Sequence, residues 1–262
     1  MMHQGDKMAT QSKASRPRGG RWPGILAGLA LLLLIAAAVM MAGAGPAYHG
    51  ELISLGEAFS LLRNGVYIAG GAVAVSVIAL LSGMFARRFT SALVASLVII
   101  AAAALLYIPW QHWQRAQAVP AIHDITTDMQ SPPAFEALAD ARQRAPNGVA
   151  YPGETTAQQQ RAAYPNVRPL VIDEPPQTVL AAAQAEAEEA GWRIARITDN
   201  RIEATATTRW FGFEDDVVIR LTEVENGVQV DMRSASRLGA SDVGTNAARI
   251  ETFLSALEAR LE

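Results

Sequence analysis

Three long stretches of the sequence contain no Asp, Glu, Lys or Arg: residues 22–50, 64–86 and 89–114. Each holds about 20 apolar residues, enough for a helix to cross the roughly 30 Å hydrocarbon layer of a bilayer. A backbone in lipid must satisfy its own N–H and C=O groups, so helices are expected there. We place the spans at about 24–44, 66–85 and 90–110, with the small residues Gly70, Gly71, Ala72 and Ala101 to Ala104 allowing close packing. Half of the residues are hydrophobic types and only 18% are charged, too apolar a balance for one ordinary soluble domain.

Charge sets the orientation. Lys7, Lys13, Arg16, Arg18 and Arg21 precede the first span, and Arg87 with Arg88 fill the tight connection between the second and third. Basic residues stay on the cytoplasmic side, so the loop carrying Glu51, Glu57 and Arg63 is expected outside. An odd number of spans then delivers everything after Arg115 outside as well. Trp22, Tyr48, Tyr107, Trp110 and Trp113 fall at the expected interfaces, where amphipathic rings are favoured. Ala42, Gly43 and Ala44 also resemble the end of a cleavable signal peptide. The long basic region and long apolar run favour an anchor, and cleavage would leave the remaining two spans delivering the domain to the same side. Leu52, Leu55, Phe59 and Leu62 recur at helical spacing, which predicts a short helix on the membrane surface. The resulting organisation is a basic tail at 1–23, an anchor at 24–110, a connector at 111–130 and a folded domain at 131–262.

The first 115 residues carry nine Lys and Arg against three Asp and Glu, and the remainder thirteen against twenty-two, with no lysine after Lys13. An acid excess of this kind argues against general nucleic-acid binding. The absence of cysteine excludes disulfides, thiolate nucleophiles and Cys-based metal sites. Prolines at 120, 132, 133, 146, 152, 165 and 169 allow only short elements between 116 and 174. One helix is expected at 132–144 with Ser131 as its cap, and another at 156–163. Beyond Pro176 the pattern is clean. An alanine-rich helix at 178–190 is stopped by Gly191, and strands follow at 192–197, 201–208, 216–222 and 227–234, the last two joined by Asn226-Gly227. Alternation puts Val217, Ile219, Leu221, Val228, Val230 and Met232 on one face, and Arg220, Asp231 and Arg233 on the other. A final helix from Ser241 or Asp242 presents Val243, Ala247, Ile250, Leu254, Leu257 and Leu261 as a stripe covering the apolar face. With a short strand at 170–172 on the edge, this predicts an α+β domain of two layers, an antiparallel sheet of four or five strands covered by helices.

An ordered set of motifs runs through this part: Asp124-Ile125-Thr126-Thr127-Asp128, Pro132-Pro133, Tyr164-Pro165, Arg209-Trp210-Phe211-Gly212-Phe213, then 233–246, with Arg249-Ile250 after it. Together they resemble a bacterial domain of unknown function, the family numbered 1499, over roughly 122–257. The resemblance implies an architecture, commonly behind membrane helices, and no activity. The outer compartment is expected to be the periplasm and the membrane the bacterial inner membrane.

The richest candidate stretch is 233–249. Arg233 and Arg237 bring two guanidinium groups to a strand-to-helix turn, and Asp242, Asn246 and Arg249 share a helix face if the helix begins at Asp242. A phosphate or carboxylate would be favoured there. The alternative is structural: Ser241 or Asp242 caps the helix and Arg237 or Arg249 pairs with Asp242. Trp210, Phe211 and Phe213 form either an exposed aromatic tip touching lipid or a plug closing the core. Glu214, Asp215 and Asp216 read as a solvated turn rather than a calcium site. Asp124 and Asp128, around Thr126 and Thr127, suit turn hydrogen bonds more than acid–base or metal chemistry. Arg209 joins them as a motif position without a role. The scattered histidines 3, 49, 112 and 123 have no metal-ligand spacing, and no phosphate-binding or dinucleotide fingerprint occurs. No cofactor or metal is expected. The leading expectation is an inner-membrane protein whose periplasmic domain binds an anionic amphiphile or an envelope protein. The alternatives are an envelope hydrolase or lipid-modifying enzyme using Asp124, Asp128 or Asp242, and a structural subunit of a membrane complex.

Overall fold

The computed structural model describes residues 20–262. Lys7, Lys13, Arg16 and Arg18, which underlie the expected orientation, lie outside the described residues. The chain forms two compact units, one of residues 20–44 with 55–107 and the other of Gly45–Ser54 with Ile108–Glu262.

Three helices are long and apolar enough to cross a membrane: α1 (Trp22–His49), α2 (Leu55–Phe85) and α3 (Phe89–Ala118). At 1.5 Å per residue each is longer than about 40 Å, more than a hydrocarbon core requires. The short surface helix expected around Leu52 to Leu62 is not separate, because from Leu55 onward it is the first part of α2, with Leu52 before it. Small residues bring the helices together, but they are not all the expected ones. Ala30, Ala72 and Ala102 are fully buried in one contact cluster, and Ala79 and Ala95 are fully buried in another. Gly70, Gly71, Ala101, Ala103 and Ala104 face outward instead. The close approaches are at Gly65, where a Cβ would strike Met41, and at Gly83, where it would lie 3.1 Å from the Ala92 nitrogen. A helix has only one face per neighbour, so a run of small residues cannot pack throughout.

In the second unit an antiparallel sheet is built from β1 (Asp124–Thr126), β2 (Leu170–Ile172), β3 (Arg193–Thr198), β4 (Arg201–Thr207), β5 (Glu214–Val224) and β6 (Gly227–Ser236). Its order is β1-β6-β5-β4-β3, with β2 also paired to β6. Thus β1 and β2 share the outer edge of β6: Ile125 stands opposite Ser234, and Ile172 opposite Val228. The domain was expected to begin after 130, but β1 lies in that connector and is wholly buried. Gln160, on α5 (Glu154–Ala163), accepts from the Thr126 N–H at 3.0 Å and donates to its carbonyl at 2.7 Å. A side-chain amide thereby satisfies the backbone of an edge strand as a further strand would.

One face of the sheet carries the core. Ile202, Val217, Ile219, Leu221, Val228, Val230 and Met232 pack under α6 (Pro176–Glu189) and α7 (Thr245–Leu261), meeting Val179, Ala183 and Ala187 from the first and Ala247, Ile250, Phe253, Leu254 and Leu257 from the second. Pro176 opens α6 at a position where its missing N–H is harmless. The stripe on α7 is the expected one with Phe253 added, and Trp192 stacks on that ring at 5.1 Å between centroids. Val243 precedes the helix rather than belonging to it.

The expected helix at 132–144 is reduced to α4 (Ala139–Gln143). Ser131 is not its cap; Asp128 accepts from the N–H groups of Gln130 and Ser131 at 3.0 and 2.9 Å. The following N–H groups of Glu136, Ala137 and Leu138 turn toward the Glu203 carboxylate at 2.9, 3.0 and 3.0 Å. A buried carboxylate thus takes the donors that a longer helix would have used.

Gly227 tests the edge. It sits at φ +124°, and a Cβ there would come within 2.8 Å of the Ile172 carbonyl carbon. Gly227→Ala is expected to displace β2 and cost about 1–3 kcal/mol. Thermal unfolding of the full-length protein in micelles, followed by near-ultraviolet circular dichroism, measures this. An unchanged midpoint would mean that the β2 pairing contributes nothing to stability.

Candidate functional site

The second face of the sheet, turned away from α6 and α7, is polar. Strand alternation puts Asp124 and Thr126, Glu203 and Thr205, Asp216, Val218 and Arg220, and Asp231, Arg233 and Ala235 there. The segment 128–152 covers it. Arg233 is buried and donates through Nε and Nη2 to the two oxygens of Asp124 at 2.9 and 2.7 Å. Its remaining donors reach the carbonyls of Pro133 and Val149 at 3.2 and 3.0 Å. Its guanidinium also lies 4.7 Å from the centre of the Phe135 ring and 5.6 Å from that of Tyr151. Burial, reinforced by Asp124, pushes the Tyr151 hydroxyl up to about 12.

Arg142, on α4, is fully buried beside it. It donates to the Ala235 carbonyl at 2.8 Å and to Asp216 at 3.2 Å, and sits 4.7 Å from the same Phe135 ring. Desolvation outweighs the attraction of Asp216 and Asp124 and lowers the proton affinity of Arg142 below the usual arginine value. Phe135 and Leu138 pack on Val218 and Ala235, an apolar island between the charges. Further along, Arg220 bridges Asp128 and Asp231, each at 2.9 Å, and the Thr127 hydroxyl donates to Asp231 at 3.1 Å. Burial pushes the Asp128 carboxyl up, but the Ser131 and Gln130 N–H groups and Arg220 outweigh it and hold the carboxyl below its ordinary range.

A second charged group surrounds the start of α7. Arg237 donates through Nε and Nη2 to the two oxygens of Asp216, both at 2.8 Å, and also pairs with Glu214. Arg249 donates to Asp215 at 2.6 Å and to the Ser234 hydroxyl at 2.9 Å, and it touches Asn246. Asn246 is fully buried; it accepts from Ser234 at 2.7 Å and donates to Ser236 and to the His123 carbonyl, each at 3.0 Å. Asp242 accepts from the N–H groups of Gly244 and Asn246, both at 2.8 Å, and Ser241 accepts from that of Val243 at 3.2 Å. Burial raises the Asp242 carboxyl above its ordinary value despite these bonds. Val243 stands at φ +54°, a strained conformation for a β-branched residue.

Three expectations change here. Gly244, not Ser241 or Asp242, is the N-cap of α7, although Asp242 accepts from the N–H groups of Gly244 and Asn246, and Arg237 and Arg249 pair with Glu214, Asp215 and Asp216 rather than with Asp242. Those acids are not a solvated turn, since Asp215 and Asp216 are buried. They open β5, and strand geometry carries them back toward 234–237. Nor do Asp242, Asn246 and Arg249 share a helix face, because Asp242 lies before α7.

The rings of the aromatic motif pack on one another and on Tyr48, apart from the core between the sheet and α6 and α7. Phe211 is buried; it stacks on Phe213 at 4.8 Å and meets Trp210 edge-on at 4.9 Å, and Tyr48 packs against both phenylalanines at 6.0 and 5.7 Å. The Thr208 hydroxyl closes the turn by accepting from the Phe213 N–H at 2.8 Å. Trp210 stays 43% exposed and Arg209 is exposed, so only the tip of the motif meets the surroundings.

The guanidinium groups of Arg233, Arg237 and Arg249 are therefore already met by carboxylates. Asp124, Asp128 and Asp242 sit in three separate hydrogen-bond sets, and the geometry assembles no acid–base pair from them. No group of three or more His, Asp or Glu side chains suited to a metal occurs among the described residues. Sequence reasoning missed Arg142, Glu203, Gln160 and Phe135. Only alternation along β4 marks Glu203, and nothing local marks Arg142.

What the fold and the charged layer define is an α+β domain that follows three membrane-length helices in the chain, with Arg233, Arg237 and Arg249 joined to carboxylates inside the fold. The chain belongs to the family DUF1499, described as proteins of unknown function, which matches residues 124–257, about half of its length. No curated protein matches the sequence.

Two predictions test the network. Removing one partner of a buried ion pair leaves the other charge uncompensated, so Arg233→Met or Asp124→Leu alone should cost about 3–5 kcal/mol, and the double variant much less than the two together. Unfolding of the four full-length forms measures the cycle, and additive losses would show that the pair is not coupled. The second prediction concerns acid. A carboxyl depressed in the folded state adds stability that is present above about pH 4, the unfolded value, and lost as pH falls through the lower folded value. Asp128→Asn should thus flatten part of the fall in unfolding temperature below pH 4, and an unaltered profile would place that sensitivity elsewhere.

Proposed function

We propose that this protein is a binding module of the bacterial envelope, anchored in the inner membrane by its helices, with the α+β domain on the periplasmic side holding a ligand or partner near the membrane surface and performing no chemistry of its own. The observation that supports this reading is the internal pairing of Arg233, Arg237 and Arg249 with Asp124, Asp216 and Asp215. These residues make a rigid frame instead of a reactive cleft. An anionic amphiphile at Arg237 or Arg249 would have to displace a carboxylate from each, so the geometry favours a ligand recognised without net charge. The basic connection Arg87-Arg88 between α2 and α3 supports the periplasmic side.

The orientation is tested by reporters fused after Glu262. An alkaline phosphatase fusion, active only in the periplasm, is expected to be active, and a fluorescent protein that matures only in the cytoplasm is expected to be dark. The reverse pattern would overturn the reading. Native mass spectrometry of the gently extracted full-length protein tests binding itself; a stoichiometric non-protein or protein adduct is expected, and lipid background alone would count against it.

A further inference from the structure

A cavity of about 470 Å³ opens beside the start of α7 and lies outside the charged network. It is walled by Ala121, Ile122 and His123 before β1, by Asn147 and Pro152 in the covering segment, by Thr156 and Gln159 on α5, and by Gly239 and Ala240. Its volume falls within the range of about 300–1,000 Å³ typical of small-molecule sites. No arginine and no carboxylate lines it. Its polar groups are an imidazole, two amides and a hydroxyl, which between them both donate and accept without carrying a fixed charge. The His123 side chain lies in this wall, with its Nδ1 atom buried and without a hydrogen-bond partner. The wall is held firmly. The His123 carbonyl accepts from the Ser236 N–H at 2.9 Å and from Asn246, while Asn147 gives both its amide hydrogens to the carbonyls of Ser236 and Gly239, which leaves its oxygen as an acceptor.

We infer that this cavity binds an uncharged polyhydroxyl ring, a sugar or cyclic polyol. A phosphate or carboxylate only accepts and requires positive charge, which the neighbouring arginines have already given to Asp215, Asp216 and Glu214. A cation would need a carboxylate in the wall. A sugar ring donates and accepts around its rim and presents C–H groups on its face, which suits His123, Asn147, Thr156 and Gln159 beside Ile122, Pro152 and Ala240. The ring is either free or the head group of a lipid. Ala121 is three residues beyond the end of α3, and at about 3.5 Å per residue the rim lies within roughly 10 Å of that helix end. The inference rests on the binding-module reading above and names its site and ligand class.

The test uses the full-length protein in polyoxyethylene-ether micelles, which carry no sugar. Diethyl pyrocarbonate modification of His123 is read by mass spectrometry, with His49 and His112 as internal references. The probes are glucose, N-acetylglucosamine, maltose and myo-inositol, each free, and the corresponding octyl glycosides of the three sugars, with glucose 6-phosphate as a charged control. At least one uncharged probe is expected to slow modification of His123 about tenfold at about ten times its half-protection concentration, as mass action requires. The reference histidines should not change, and the phosphate should protect poorly. Thr156→Val with Gln159→Ala should abolish the protection at an unchanged unfolding temperature. Protection by the glycosides alone assigns a lipid-borne ring; equal protection by the free sugars assigns a soluble one. The inference is overturned if no probe protects His123, if all three histidines respond in parallel, or if the double variant folds and is protected as well as the parent. A native adduct that persists in that variant would overturn this site and leave the broader reading standing.

Discussion

An arginine beneath a covering loop must find its counter-charge inside the fold, because a guanidinium removed from water without one costs several kcal/mol. Arg233 is in that position, and Asp124 answers it with both oxygens. The pairing has consequences well beyond the two residues. It holds 124–126 as a strand on β6, turning what would be linker into part of the sheet. The same guanidinium lies on Phe135, which brings the covering segment down and carries Arg142 to Asp216. Asp216 in turn anchors Arg237. The charged layer is continuous from the edge strand to the turn before α7.

The two faces of the sheet thus obey different rules. Toward α6 and α7 the packing is apolar and depends on area. On the opposite face the charges enforce register, since a slip of one residue in β5 or β6 would move Arg220, Asp231 and Arg233 into the apolar layer. The motif residues 124–128 and 233–246 lie largely on this second face and at the start of α7. These residues make the frame, and the uncharged cavity lies beside them.

Much of the architecture was legible because its periods are local. The charge-free stretches marked α1, α2 and α3, Asn226-Gly227 marked the β5–β6 hairpin, and alternation placed Val217, Ile219 and Arg233 on the faces they occupy. The site was legible in composition but not in partners. Arg237 and Arg249 were visible as a cluster, yet their acids lie in Glu214-Asp215-Asp216, brought into register by the pairing of two strands. His123 looked isolated because its cavity is assembled from four separate segments.

By itself the sequence determined the membrane-length helices, the strand faces and the helix that covers the sheet, because each follows from a periodicity of 3.6 or 2 or from a simple count of apolar residues. The tertiary structure decided which small residues of the helices touch, that Asp124 belongs to the sheet, and that Glu203 takes the backbone donors of a helix expected at 132–144. It also decided which carboxylate each arginine meets. Those outcomes depend on pairings between residues far apart in the chain, set by strand register and by the cost of leaving a buried charge or N–H unmet, and no local pattern encodes them.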